Sequence, residues 1–157
     1  NLYDSLKLKM YQLKVIFNGA HYWPVGKRST FKTALNAAVL QSENIFRNEL
    51  FQIGGYRLLR GFNEESIFVN KYAVFTGEYR VLTGINSFLF LFTDVGITGT
   101  KIQAQTFTNT FVGAGTGVSL ETKFGLLNLS YALGKRNDVK FDIRNSSRIH
   151  FGYINYF

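Results

Sequence analysis

The chain has 157 residues, no cysteine and only two histidines, His21 and His150, which lie far apart. This excludes disulfides and thiolate metal sites, and it leaves no histidine cluster for zinc binding or catalysis. The net charge of +8 admits nucleic acid or anionic lipid as a partner, while no apolar window approaches the length of a membrane helix.

Sixteen Phe, nine Tyr, fifteen Gly and a single Pro accompany frequent period-2 alternation, the signature of a membrane β-barrel and not of a hydropathy peak. Residues 1–9 are short and mixed. Within them Asp4-Ser5-Leu6 is similar to a bacterial O-glycan acceptor triplet, and Asn1-Leu2-Tyr3-Asp4 does not read as a secretory signal. The first strand is expected from about Met10 to Trp23, with Tyr11, Leu13, Val15 and Phe17 on one face and Gln12, Lys14 and Asn18 on the other. Gly19 suggests a bulge or bend, and Tyr22-Trp23 suggests an interfacial girdle. Pro24–Arg28 reads as a turn. The second strand, about Thr30–Leu40, sets Phe31, Leu35 and Val39 against Lys32, Ala34 and Asn36.

Residues 41–69 carry no comparable alternation. A connection of that length is normally functional or disordered, and its Phe46, Leu50, Phe51, Ile53, Tyr56, Leu58, Leu59 and Phe62 are too apolar for disorder. At its centre, Gly54-Gly55-Tyr56-Arg57-Leu58-Leu59-Arg60-Gly61-Phe62 joins glycines, which free the backbone, to arginine, a fork of donors that seeks carboxylates. A loop folded inward and gripped at Arg60 is the reading that fits both.

A third strand is expected at about Lys71–Leu82 and a fourth at Phe88–Gly96, joined by a tight Thr83–Asn86 turn. Residues 97–112 read as a second long loop rich in Thr and Gly. The fifth strand, about Gly113–Phe124, has Gly113, Gly115, Gly117, Ser119, Glu121 and Lys123 on one face. The sixth, about Leu126–Leu133, puts Leu127, Leu129, Tyr131 and Leu133 on the other. A charged connection, 134–146, leads to a last strand at Ser147–Phe157, with Ile149, Phe151, Tyr153 and Phe157 opposed to Arg148, His150, Gly152 and Tyr156.

Connections therefore alternate short and long, as in outer-membrane barrels with short periplasmic turns and long extracellular loops. The mid-strand charges Lys14, Lys32, Glu78, Arg80, Glu121, Lys123 and Arg148 fall opposite the apolar faces. A lipid-bathed barrel requires that sorting, since a charge on its lipid face near mid-membrane costs roughly 2–4 kcal/mol. Strands of about 10–13 residues suit a tilted membrane strand better than the roughly 5–6 residues usual in soluble sheets. The fourth strand is open on this evidence, because Phe88, Phe90 and Phe92 share parity with Asp94. The fold expected is all-β, an antiparallel transmembrane barrel. Seven strands is an odd number, so residues 1–157 are expected to be the C-terminal portion of one larger barrel or to be completed by another polypeptide.

Four features then carry a resemblance over about residues 10–157. They are Arg60-Gly61-Phe62 after a Gly-Gly run, Glu78-Tyr79-Arg80, Phe92-Thr93-Asp94-Val95-Gly96, and the glycine-rich Gly113-Ala114-Gly115-Thr116-Gly117. In order and spacing the chain resembles the BamA/TamA-type outer-membrane assembly-factor superfamily, the bacterial surface-antigen barrel. The resemblance implies sixteen strands, with the loop before the fifth-from-last strand folded into the lumen. It implies that Arg60 pairs with Glu78 and Asp94, which turns Asp94 inward and Leu89, Leu91 and Val95 outward, and that Gly113, Gly115 and Gly117 leave room for the loop. The last strand is similar to an outer-membrane β-signal, with Gly152, Tyr153 and a terminal Phe157, though Asn155 departs from the pattern. Gly152 marks a weak point at a lateral seam.

The activity implied is outer-membrane protein insertion or translocation by strand templating at that seam. The alternative is a passive pore or a membrane anchor for a separate N-terminal domain. No cofactor or metal is expected, and no nucleophile–base constellation is present. Expected partners are outer-membrane lipid and lipopolysaccharide, the rest of the barrel, nascent outer-membrane proteins and accessory lipoproteins. Nucleic acid is not expected, because the basic residues are spread and not clustered with stacking aromatics.

Overall fold

Residues that alternate apolar and polar at period 2 present one face each to two different environments once extended. In the computed structural model, which describes residues 11–42, 45–102 and 105–155, this alternation builds one seven-stranded antiparallel sheet. Its strands are β1 (Gln12–Gly26), β2 (Ser29–Ser42), β5 (Lys71–Gly84), β6 (Ser87–Ile102), β7 (Gln105–Thr122), β8 (Gly125–Arg136) and β9 (Ser147–Asn155). They pair in that order, so β1 and β9 are its edges. Between β2 and β5, the strands β3 (Phe51–Ile53) and β4 (Ile67–Val69) form a separate two-stranded ribbon. A single helical turn, α1 (Ile143–Ser146), precedes β9. The Asp4-Ser5-Leu6 triplet, Tyr156 and Phe157 lie outside the described residues.

The faces sort as the alternation predicts. Val74, Thr76 and Glu78 of β5 and Phe90, Phe92 and Asp94 of β6 are buried on the face that carries the loop. Phe75, Tyr79, Leu89, Leu91, Val95 and Phe151 stand exposed on the other. Exposed aliphatic and aromatic side chains over a whole sheet face invert the rule for soluble proteins and suit a face bathed in lipid. Asp94 is thus on the inner face, and Leu89, Leu91 and Val95 are on the outer one.

Four expectations are corrected. Residues 97–112 are not a loop: β6 runs on to Ile102 and β7 starts at Gln105, with an unbroken register from Ile97↔Thr110 to Ile102↔Gln105. The threonines there are β-branched and favour a pleated strand, and Gly99 does not interrupt it. The charged 134–146 connection begins later, since β8 extends to Arg136. Glu121 and Lys123 are not mid-strand, because β7 ends at Thr122 and the turn follows; Glu121 is exposed and accepts from Asn86 Nδ2 at 3.1 Å. Gly19 makes no bulge. The β1–β2 register passes straight through Gly19↔Leu35 and shifts only between Pro24 and Gly26, where proline has no N–H to donate.

Candidate functional site: an arginine loop held across the sheet

The 41–69 segment is built on the β3–β4 ribbon, which acts as a stem with Ile53 facing Ile67. Above the stem, Gly54 and Gly55 take φ of 109° and 102°, and Gly61 takes 97°, a region glycine enters at little cost. Leu59 is also left-handed, at φ 65°, a strain of order 1–3 kcal/mol for a residue with a Cβ. Its side chain is completely buried in a cluster with Ile53, Val69, Val74 and Phe111, and that burial offsets the strain. The tip closes on itself: Tyr56 N–H donates to Glu64 Oε2 (2.9 Å), and Glu65 N–H donates to the Gly54 carbonyl (3.2 Å). Where the loop leaves, Asn70 stitches it to the wall. Its carbonyl accepts from Leu40 N–H (2.7 Å), and its side-chain oxygen accepts from Lys101 N–H (3.2 Å).

This geometry delivers Arg60 to the inner face of β5 and β6. Its Nε and Nη2 donate to the two oxygens of Asp94 at 2.9 and 3.0 Å, and its Nη1 donates to Glu78 Oε2 at 2.6 Å. The Arg60 backbone N–H adds a fourth bond, to Asp94 Oδ2 (2.9 Å), and Thr76 Oγ donates to Asp94 Oδ1 (2.8 Å). The other oxygen of Glu78 accepts from Arg80 Nε (2.7 Å). Asp94, Arg60, Glu78 and Arg80 therefore form one chain of alternating charge that sums to zero. Glu78 and Asp94 are 3% and 1% exposed, so neither could stay ionised there without such partners. Burial opposes the charge on Arg60, but the hydrogen bonds and charges of Asp94 and Glu78 outweigh it and raise its pKa above the usual value. Beneath the guanidinium lies the Phe92 ring, 3.6 Å from its carbon, and Phe88 lies under Arg80 at 4.4 Å. Both contacts are cation–π.

Gly61 and Phe62 seat the tip on β7 and β8. A Cβ on Gly113 would run into the Arg60 carbonyl, and one on Gly61 would lie 2.9 Å from the backbone of Gly134. Backbone thus meets backbone at Gly61, Gly113 and Gly134. Phe62 packs edge-on to Phe111, with ring centres 5.2 Å apart. The three glycines of the 113–117 wall divide their work. Gly113 clears space for the loop, whereas Gly115 and Gly117 clear space for the Tyr131 and Leu129 carbonyls of β8 and for the rings of Phe92 and Phe90.

Three successive inner-facing positions of β9 complete the grip. Arg148 Nε donates to Asn63 Oδ1 (2.5 Å). His150 Nε2 accepts from Gly61 N–H (3.0 Å). Gly152 lies under the Tyr56 ring, which a Cβ would approach to 2.6 Å. The loop thereby touches every strand of the sheet, reaching β1 through Lys14 above Phe51 (5.0 Å).

The structure brings Arg60, Gly61, Phe62, Glu78, Asp94, Gly113 and Gly152 into one assembly. Gly115 and Gly117 stand beside it, and Tyr153 points to the other face, where its hydroxyl donates to the Phe124 carbonyl (2.9 Å). Sequence reasoning missed His150 and Arg148 as loop partners and the Phe88–Phe90–Phe92 ladder as the floor under the guanidiniums. Only the shared parity of the three phenylalanines with Asp94 pointed that way. Among the described residues, no group of three or more His, Cys, Asp or Glu could hold a metal ion. A comparison with protein families matches residues 6–155 to the Omp85 superfamily domain. No curated protein matches the chain.

Proposed function

The chain belongs to the Omp85 superfamily, and from that premise we propose that it works as an outer-membrane insertion or translocation barrel whose inward loop braces the wall while strands exchange at the β9 edge. Membership supports an outer-membrane location and a role in protein insertion or translocation broadly. The observation that carries the finer reading is that one loop grips both the wall strands β5 and β6 and the edge strand β9.

The mechanism follows from backbone chemistry. β9 spans nine residues, against twelve for β8 and eighteen for β7. On the reading of residues 1–157 as part of a larger barrel, its other edge is where the barrel closes, and an incoming strand that takes the closing strand's place can pair there by β-augmentation. Templating of this kind needs the edge strand held in register while its partner changes. Arg148, His150 and Gly152 supply that hold from the inner face, and the Arg60 cluster anchors the loop that provides it. No bond is made or broken in the client. The same reading takes residues 1–157 as the C-terminal portion of one barrel, with nascent outer-membrane proteins as clients and accessory lipoproteins as partners.

The test is replacement of Arg60 by Ala in the full-length protein, followed by measurement of outer-membrane protein levels after depletion of the native copy. The expected result is a fall in assembled barrels; full complementation would sink the bracing role. A second reading, a passive pore or anchor, draws support from the polar inner cavity of ≈820 Å³ beside the loop. Steady single-channel conductance together with normal assembly in the Arg60→Ala strain would favour it.

A further inference from the structure

Three arginines on this side of the sheet are paired with carboxylates. Arg60 has Asp94 and Glu78, Arg80 has Glu78, and Arg136 has Asp138. Arg148 is held instead by three neutral oxygens: Asn63 Oδ1 at 2.5 Å from Nε, and the carbonyls of Asn145 (2.9 Å) and Ser147 (2.7 Å) from Nη1. The guanidinium is fixed in place and half-buried, and its charge is not compensated.

Arg148 lines a cavity of ≈270 Å³ between the loop tip, the end of β8 and the β8–β9 connection. Lys135, Arg136 and Lys140 line it too, and no Asp or Glu does. Arg136 is neutralised from outside by Asp138, whose carboxyl is held below its usual range by that hydrogen bond. Lys135, Lys140 and Arg148 form no ion pair among the described residues. The neighbouring cavity of ≈820 Å³ is the contrast. There Lys32, Arg57, Arg60 and Arg80 face Glu64, Glu65, Glu78 and Asp94, four charges against four. Lys135 has the outer-face parity of β8, shared with exposed Leu129 and Tyr131 and with its partner Val112, so the two spaces differ by two uncompensated cations, Lys140 and Arg148.

We propose that the smaller cavity binds a phosphate monoester, carried by an outer-membrane lipid headgroup or by a soluble phosphate compound. Two cations beside one space call for more than a single carboxylate. A phosphate dianion offsets both, and it can accept from Arg148 Nη2, which the bonds to Asn63, Asn145 and Ser147 leave free. The volume lies just under the roughly 300–1,000 Å³ of small-molecule pockets, so a headgroup fits and a whole lipid does not. Phe62, Phe111 and Val139 give the cavity an apolar wall, which strengthens the attraction by excluding water. A bound phosphate would join Arg148 of β9 to Lys140 of the connection, beside Asn63 of the loop. The site goes beyond the insertion reading and stands without it.

The test is calorimetric titration of the folded full-length protein, in zwitterionic detergent at low ionic strength, with inorganic phosphate. Saturable uptake is expected, weakened about tenfold by Arg148→Gln and several-fold by Lys140→Gln, as loss of charge-assisted bonds requires. Lys123→Gln, in the β7–β8 turn at the opposite end of the sheet, should leave it unchanged. Repeating the titration in nanodiscs of phosphorylated glycolipid, against nanodiscs of phosphatidylcholine, identifies the source. Loss of phosphate uptake only in the glycolipid discs assigns the site to lipid, and retention assigns it to a soluble compound. Absence of saturable uptake overturns the proposal, as does uptake that neither Arg148→Gln nor Lys140→Gln changes. Acetate binding as tightly as phosphate overturns it too. Lys140 lies on an exposed connection, so its variant remains informative if Arg148→Gln fails to fold.

Discussion

Where the loop meets β5 and β6, two buried carboxylates close around one guanidinium; where it meets β9, an imidazole nitrogen, an amide oxygen and a ring laid over a glycine do the holding. The first grip is ionic and self-neutralising. On the loop's side the second uses only neutral groups. A neutral hydrogen bond such as that of Gly61 to His150 is worth about 0.5–1.5 kcal/mol, and one to a charged group such as Arg148 about 1.5–3 kcal/mol before solvent weakens it, whereas removing one partner from a buried ion pair typically costs about 3–5 kcal/mol. The difference teaches that the loop is anchored to the wall and more lightly tethered to the edge. Under strain the β9 contacts should part first.

The most damaging way to break this comparison is Arg60→Ala, which leaves Asp94 without a cation and Glu78 with Arg80 alone. A loss of about 3–5 kcal/mol is expected, read as a lower denaturant midpoint of the folded barrel in detergent. An unchanged midpoint would mean that the ionic grip carries little. Next comes Gly113→Ala, whose Cβ would displace the Arg60 carbonyl. Overpacking of this kind costs about 1–3 kcal/mol, and hydrogen exchange at amides 59–61 should quicken while β8–β9 amides stay protected. His150→Ala leaves the Gly61 N–H without its acceptor, at about 1–3 kcal/mol. It should speed exchange at Gly61 and leave the Arg60 backbone amide, bonded to Asp94, protected. If both amides open together, the two grips are one unit. The smallest effect belongs to Asn63→Ala, whose bond to Arg148 is charge-assisted but exposed to solvent, which holds the loss to about 1 kcal/mol. Combined with His150→Ala it should be non-additive, because both act on the β9 tether, yet additive with Thr76→Ala on the far side of the loop.

Most of the sheet was legible because a charge and a leucine cannot share a lipid face. Lys32, Glu78 and Arg80 sorted their strands without other help. The fourth strand was not legible by that rule, since Phe88, Phe90 and Phe92 look lipid-facing and share parity with Asp94. They lie inward because guanidiniums stack on them, a contact made by Arg60 from a distant stretch of chain. Residues 97–112 misled because glycines among threonines suggest a loop, while the ladder there is completed by backbone pairing that period-2 apolarity does not report. The Arg60 partnership was legible through family resemblance and not through spacing. The His150–Gly61 bond, 89 residues apart in sequence, had no local signal at all. A histidine opposite exposed Ile149 and Phe151 reveals only its face.

The apposition of Gly61 with Gly113 and Gly134 also bears on kinetics. Knobs set in holes must be lifted out before two surfaces separate, so interdigitated contacts resist withdrawal along the whole path. Two bare backbones offer no such teeth. At Gly61 itself no side chain has to rotate out of the way. The barrier to release is then concentrated on either side of it, in the hydrogen bonds, the charge cluster and the packing of Leu59 and Phe62 against Val74 and Phe111, and changing those groups sets the dwell time of the loop.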